Sequence, residues 1–179
     1  MQRTIRFFCL AVLVAAQYSF SANQSVQSRM DWTDVRVFAV VDFEAQGHWG
    51  SFSAGEFAAD EMTAALYIQN HFKVIDRTQV RDYARQENLT QASMNAARIQ
   101  ETGDALNADF IVLGKIVEIT DDSALPDEVK ELNIQIQIRV LAVKDGSVIG
   151  VVENQKKSNE GPADLIKRMI WEMVKEIQF

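Results

Sequence analysis

The stretch Val35–Val80, VRVFAVVDFEAQGHWGSFSAGEFAADEMTAALYIQNHFKVIDRTQV, constrains the fold more than any other part of the chain. Val35–Phe43 is almost wholly apolar, as a strand buried on both faces of a parallel sheet must be. Gly47, Gly50 and Gly55 interrupt regular structure. From Glu56 to Asn70 the composition turns to Ala, Met, Leu and Glu, which favour helix. Ala58, Met62, Ala65, Leu66 and Gln69 recur at steps of three and four, so one mostly apolar stripe faces a sheet. Phe72–Ile75 reads as a returning strand, and Asp76 as the N-cap of the next helix. Strand, crossover helix and strand make a right-handed parallel βαβ unit.

The rest of the chain extends this unit. Thr78–Glu87 reads as a helix broken by Asn88-Leu89-Thr90, and Ala92–Leu106 as a second helix. Gly103 would weaken that second helix by about 1 kcal/mol unless it allows close approach to the sheet. Phe110–Ile119 is a third strand, whose Lys115 and Glu118 reach water; Asp121–Glu131 is an acidic, proline-bearing loop. Leu132–Val143 alternates, with Leu132, Ile134, Ile136, Ile138 and Val140 on one side and Asn133, Gln135, Gln137 and Arg139 on the other. Such a strand is covered on one face only. Asp145-Gly146 is a hairpin signal that pairs Val148–Gln155 antiparallel with it. Pro162 opens a last helix whose apolar face runs from Leu165 to Ile177. The expected fold is α/β, a mixed sheet of about five strands in which a parallel βαβ part precedes an antiparallel meander, flanked by helices.

The N-terminal stretch is a different object. Arg3 and Arg6, the apolar run Phe7–Ala16 and the small residues Ser19 and Ser21 form a secretory signal peptide over residues 1–21. The run is too short for the ~20 residues of a spanning helix. Residues 22–34 read as a polar linker carrying Trp32, and residues 35–179 as one α/β domain. The only cysteine, Cys9, falls inside the apolar run, so the exported chain would have no disulfide, thiolate nucleophile or cysteine metal site. Removing residues 1–21 leaves 16 basic against 25 acidic residues. That balance repels phosphate backbones, so no nucleic-acid partner is expected.

Candidate chemistry concentrates in the loop Glu44–Gly55, after the carboxyl end of the first strand, where open α/β sheets bind ligands. No Gly-Lys-Ser/Thr follows, the glycines miss the dinucleotide spacing, and Glu56, Asp60 and Glu61 would repel a phosphate. A loop meeting a protein partner fits better, because His48, Trp49 and Phe52 are large and expected to be exposed. Trp171 lies among Lys167, Arg168 and Lys175 on the last helix; it is either an interface anchor or a ring lying on its neighbours' methylene stems. With two histidines, neither at metal-ligand spacing, no metal or other cofactor is expected. Asp42, Glu44 and Asp76 have no recognisable nucleophile or base beside them, so no enzymatic activity is expected either.

Three runs carry a resemblance: Val40–Phe43, Phe72–Arg77 and Ala108–Gly114, standing as V-x-D-F, F-x-V-I-x-R and A-D-F-I-V-x-G. In this order they resemble the periplasmic domain of the curli assembly component family (CsgG-like). LpoB-like penicillin-binding-protein activators and the N-terminal domain of TolB are similar. The resemblance implies a non-enzymatic periplasmic or outer-membrane-associated assembly or adaptor protein that binds a cell-envelope protein partner. His48, Trp49, Phe52 and Trp171 are the candidate contacts. It leaves homo-oligomerisation and peripheral outer-membrane association open. The alternatives are a subunit of an oligomeric outer-membrane secretion channel of the curli type, and a small-molecule or nucleotide-binding module.

Overall fold

The computed structural model describes residues 36–119 and 131–177, all within the compact unit Thr33–Phe179. The expected signal peptide and linker, and the loop Asp121–Glu131 save its last residue, lie outside the described residues. In chain order the elements are β1 (Val37–Val40), β2 (Glu44–Gln46), α1 (Ala54–Asn70), β3 (Lys73–Val74), α2 (Arg77–Gln86), α3 (Ala96–Leu106), β4 (Phe110–Glu118), β5 (Leu132–Ala142), β6 (Val148–Ser158) and α4 (Pro162–Glu176). The sheet runs β3-β1-β4-β5-β6, with β2 also on β4. Pairing is parallel among β1, β2, β3 and β4, and antiparallel from β4 through β6. The mixed α/β fold is therefore as expected, but with six strands.

The sixth strand comes from a break in what reads as one run. β1 pairs with β4 at Phe38↔Phe110, Ala39↔Ile111 and Val40↔Val112. The chain then steps over Asp42-Phe43 and resumes as β2, which continues along the same edge of β4 from Glu44↔Lys115 to Gln46↔Val117. Phe43 causes the step. Its ring occupies the space over Gly114, where a side chain would overlap it, and its N–H donates to the Gly55 carbonyl at 3.2 Å. The helix consequently starts at Ala54, two residues before the expected Glu56.

Two apolar cores lie on opposite faces of the sheet. On one, α1 and α4 cover Val40, Val112, Ile116, Ile134, Ile136 and Ile138, all fully buried. The stripe on α4 reads directly as Leu165, Ile166, Met169, Ile170, Met173 and Val174, each at 0% exposure. Burying a side chain of this size contributes about 1.5–3 kcal/mol. On the other face α2 and α3 supply Val80, Ile99 and Leu106 against Ala39, Val41, Ile111, Leu113, Leu141 and Val143. Gly103 allows this approach: a Cβ there would overlap the Val143 side chain. Asp76 caps α2, accepting from the Thr78 N–H at 2.8 Å, and Asn95 caps α3 after a 3-10 turn at Gln91–Ser93. That turn delays α3 to Ala96, four residues beyond the expected start.

Candidate functional site

α2 and α3 stop short. Their core ends at Leu113 on β4 and Leu141 on β5. Beyond it, on the same face, strand alternation places Lys115 and Val117 of β4 beside Gln135, Gln137 and Arg139 of β5, then Val151, Glu153 and Gln155 of β6. No described helix covers this half. Its side chains form a polar ladder. Glu153 accepts from Gln135 Nε2 at 2.5 Å and from Gln137 Nε2 at 3.1 Å, and Gln155 Nε2 donates to Asn133 Oδ1 at 3.1 Å. The strand closing this half, β6, pairs only with β5 among the described residues. Its Val148, Ile149 and Val151 are 51%, 44% and 56% exposed, a short apolar strip on an open sheet edge.

Where β2, the 3-10 turn, β4 and β5 meet, the uncovered face dips into a recess of about 300 Å³ lined by Glu44, Gln91, Ala92, Lys115, Gln137 and Arg139. Gln91 holds the turn against the sheet, its Nε2 donating to the Gly114 carbonyl. Gln46 Nε2 donates to Glu44 Oε1 at 2.8 Å.

Asp42, just beyond β1, is held through its Oδ1. The Arg77 guanidinium donates to Asp42 Oδ1, to the Val40 carbonyl at 2.5 Å and to Asp60 Oδ1 at 3.0 Å, while Arg81 bonds the same Asp60 at 3.1 Å. This knot ties α2 to α1 and the first strand. Among the described residues no group of three metal-ligating side chains forms, and no helix is long and apolar enough to cross a membrane.

The proposed contact residues fall in two places. His48 is exposed, its backbone N–H bound to Glu118 Oε2 at 2.5 Å at the end of β4. Trp49 and Phe52 are not the exposed rings expected: both are half-buried against the α1–α4 core, and Phe52 lies 5.4 Å from the Phe57 ring. Trp171 is half-buried as well. It reaches across to α1, where its Nε1 donates to Glu61 Oε2 at 2.8 Å and Lys167 Nζ lies 3.4 Å from the other Glu61 oxygen. The structure brings His48, Trp49 and Phe52 into one loop and leaves Trp171 on a separate helix. The recess was missed. Lys115 reads as a strand end reaching water and Arg139 as the solvent side of an alternating strand; both statements hold, but neither tells where the covering helices end.

The family model described as peptidoglycan-synthase activator LpoB matches residues 55–156, more than half of the chain. No curated protein matches. Among solved structures the fold is similar to a PelC dodecamer from Paraburkholderia phytofirmans, at 14% identity over 81% of this chain and 90% of that one, with a TM-score of 0.54. It is also similar to a lipoprotein from Neisseria meningitidis, at 15% identity over 79% and 96%, with a TM-score of 0.55. The C-terminal domain of LpoB from Escherichia coli matches at 15% identity over 68% and 82%, with a TM-score of 0.47. At such identities the likeness to the first two is one of fold alone. The expected curli-assembly branch finds no support among these matches, whereas the LpoB branch does. On the family match, the chain belongs to the family of the peptidoglycan-synthase activator LpoB.

Proposed function

We propose that this chain activates a peptidoglycan synthase in the cell envelope by binding it, acting from the periplasm or the periplasmic side of the outer membrane. As a member of an activator family, the chain is not itself an enzyme. The family match carries the reading. The uncovered half of the sheet supports it, because it offers β6 as an edge for strand addition and the Val148–Val151 strip as an apolar contact. The exposed His48, on a loop pinned to Glu118 at the end of β4, is a second and separate contact. The half-buried Trp49 and Phe52 rings set that loop's shape, and like Trp171 they pack on the helix-covered side of the sheet. Export by residues 1–21 would bring the domain to its partner.

The test adds purified chain to a purified peptidoglycan synthase and follows synthesis rate and complex formation. A saturable rise in rate is expected, weakened by Val151→Asp and by His48→Ala, both at exposed positions. A synthase that neither binds the wild-type chain nor speeds up would sink the reading.

A further inference from the structure

We propose that the recess on the uncovered sheet face is a binding site for a peptide-borne carboxylate that has an N–H donor beside it. Six lysines and arginines of the described residues are half-buried: Arg77, Arg81, Arg98, Lys115, Arg139 and Lys156. Four carry carboxylate partners: Arg77 and Arg81 share Asp60, Arg98 pairs with Glu87, and Lys156 pairs with Glu172. Lys115 and Arg139 have no ion-pair partner among the described residues, and both line the recess. Two half-buried cations therefore stand side by side in a recess where Glu44 is the one carboxylate among the lining residues, which leaves positive charge to receive a further anion. The register sets them as diagonal neighbours: Lys115 opposes Gln137, and Arg139 opposes Leu113, on adjacent strands and the same face. A diagonal of about 7–8 Å suits one planar carboxylate spanned from two sides.

The rest of the lining selects among anions. Gln91 commits its amide nitrogen to the Gly114 and Asp42 carbonyls, and Gln137 donates sideways to the exposed Glu153, so both can present an acceptor oxygen to the recess. Glu44 accepts one bond from Gln46 and keeps its second oxygen. The recess thus offers two cations and three acceptors. An inorganic phosphate dianion brings two negative charges beside Glu44 and a single O–H donor for those three acceptors. A peptide end satisfies both sets, with its carboxylate on Arg139 and Lys115 and an N–H toward Glu44 or a glutamine. The inference does not rest on the synthase reading, since the isolated chain suffices to test it.

The experiment is a chemical-shift titration of the isotope-labelled chain with trialanine, its C-terminal amide, an end-blocked peptide with one internal aspartate, and inorganic phosphate. Trialanine is expected to shift the Lys115, Gln137 and Arg139 amide signals saturably, with its amide at least about tenfold weaker, as the loss of a charge-assisted hydrogen bond implies. The blocked aspartyl peptide separates the two sources: tighter binding than trialanine assigns the site to an acidic side chain, weaker binding to a chain terminus. Arg139→Gln and Lys115→Gln should each weaken binding about tenfold or more at unchanged melting temperature. Glu44→Gln should narrow the gap between trialanine and phosphate. No shifts with either carboxylate peptide, equal shifts with phosphate, or undiminished binding in both cation variants would overturn the proposal.

Discussion

Gly114 shows how a single residue sets both the register and the shape of the sheet. Its missing side chain is filled by the Phe43 ring, and that ring is what divides β1 from β2. Gly114→Ala should therefore destabilise the fold by about 1–3 kcal/mol, the usual range for overpacking a core without room to relax. Thermal unfolding would read it as a clear drop in Tm; an unchanged Tm would mean Phe43 moves freely and does not hold the break. Trp171 is the second residue with a definite local task. Half-buried and bonded through Nε1 to Glu61, it stitches α4 to α1. Trp171→Phe keeps most of the packing and removes the donor, so a loss of about 1 kcal/mol is expected in urea unfolding. A synthase-binding defect at unchanged stability would instead show that Trp171 serves the partner and that its bond to Glu61 is incidental.

At the scale of elements, what was legible depended on whether the physics is local. The α4 stripe, the alternation of β5 and the Asp145-Gly146 turn are properties of neighbouring residues, and each stands as it reads. The break at Asp42-Phe43 is not local, because it depends on a glycine seventy-one positions later in the chain, at 114. The limits of α2 and α3 over the sheet are likewise tertiary, so the alternation that marks Gln137 and Arg139 as a solvent face gives no hint of a recess. Trp49 and Phe52 misled for the same reason: a large ring in a glycine-bearing loop is exposed only if no core lies within reach. The local caps also make a prediction. The Thr78 backbone N–H holds the Asp76 carboxyl below its usual range, a hydrogen bond from Ser147 does so for Asp145, and the Lys156 ammonium does so for Glu172. Each pKa is depressed in the folded state. The stability it contributes is therefore complete above the ordinary carboxylate range near pH 4, and is lost as pH falls through the lower folded value. The urea midpoint should fall between about pH 6 and about pH 3. Asp76→Ser keeps an acceptor at the cap of α2 and removes the titrating group, so its midpoint should fall less over the same interval. Equal falls would show that the Asp76 cap has no part in the acid sensitivity.

At the scale of the molecule, the two faces of the sheet are unequal, and this inequality links stability to function. One face is sealed along β1, β4 and β5 by α1 and α4; the other is sealed only as far as Leu113 and Leu141, leaving β5 and β6 open for contacts. An open half-sheet is tolerable only if the same strands are held firmly from behind. Ile134, Ile136 and Ile138, fully buried on the sealed face, alternate with the very residues of the open face. The helix that seals them at the β6 end is α4, whose six core residues contact this layer and whose Glu172 grips Lys156 of β6. A chain ending at Ser158 would retain every strand yet expose the isoleucine row to water. At several kcal/mol for so many lost core contacts, set against a typical total stability of about 5–15 kcal/mol, the sheet should lose its fixed packing. The truncated chain is expected to keep part of its far-UV circular dichroism, lose its near-UV signal and bind a hydrophobic dye. It should also lose partner binding, because an open face without a rigid back cannot hold its side chains in place. A truncated chain that melts cooperatively and still binds would show that α1 alone supports the open half, and that α4 is an addition to the fold and not its foundation.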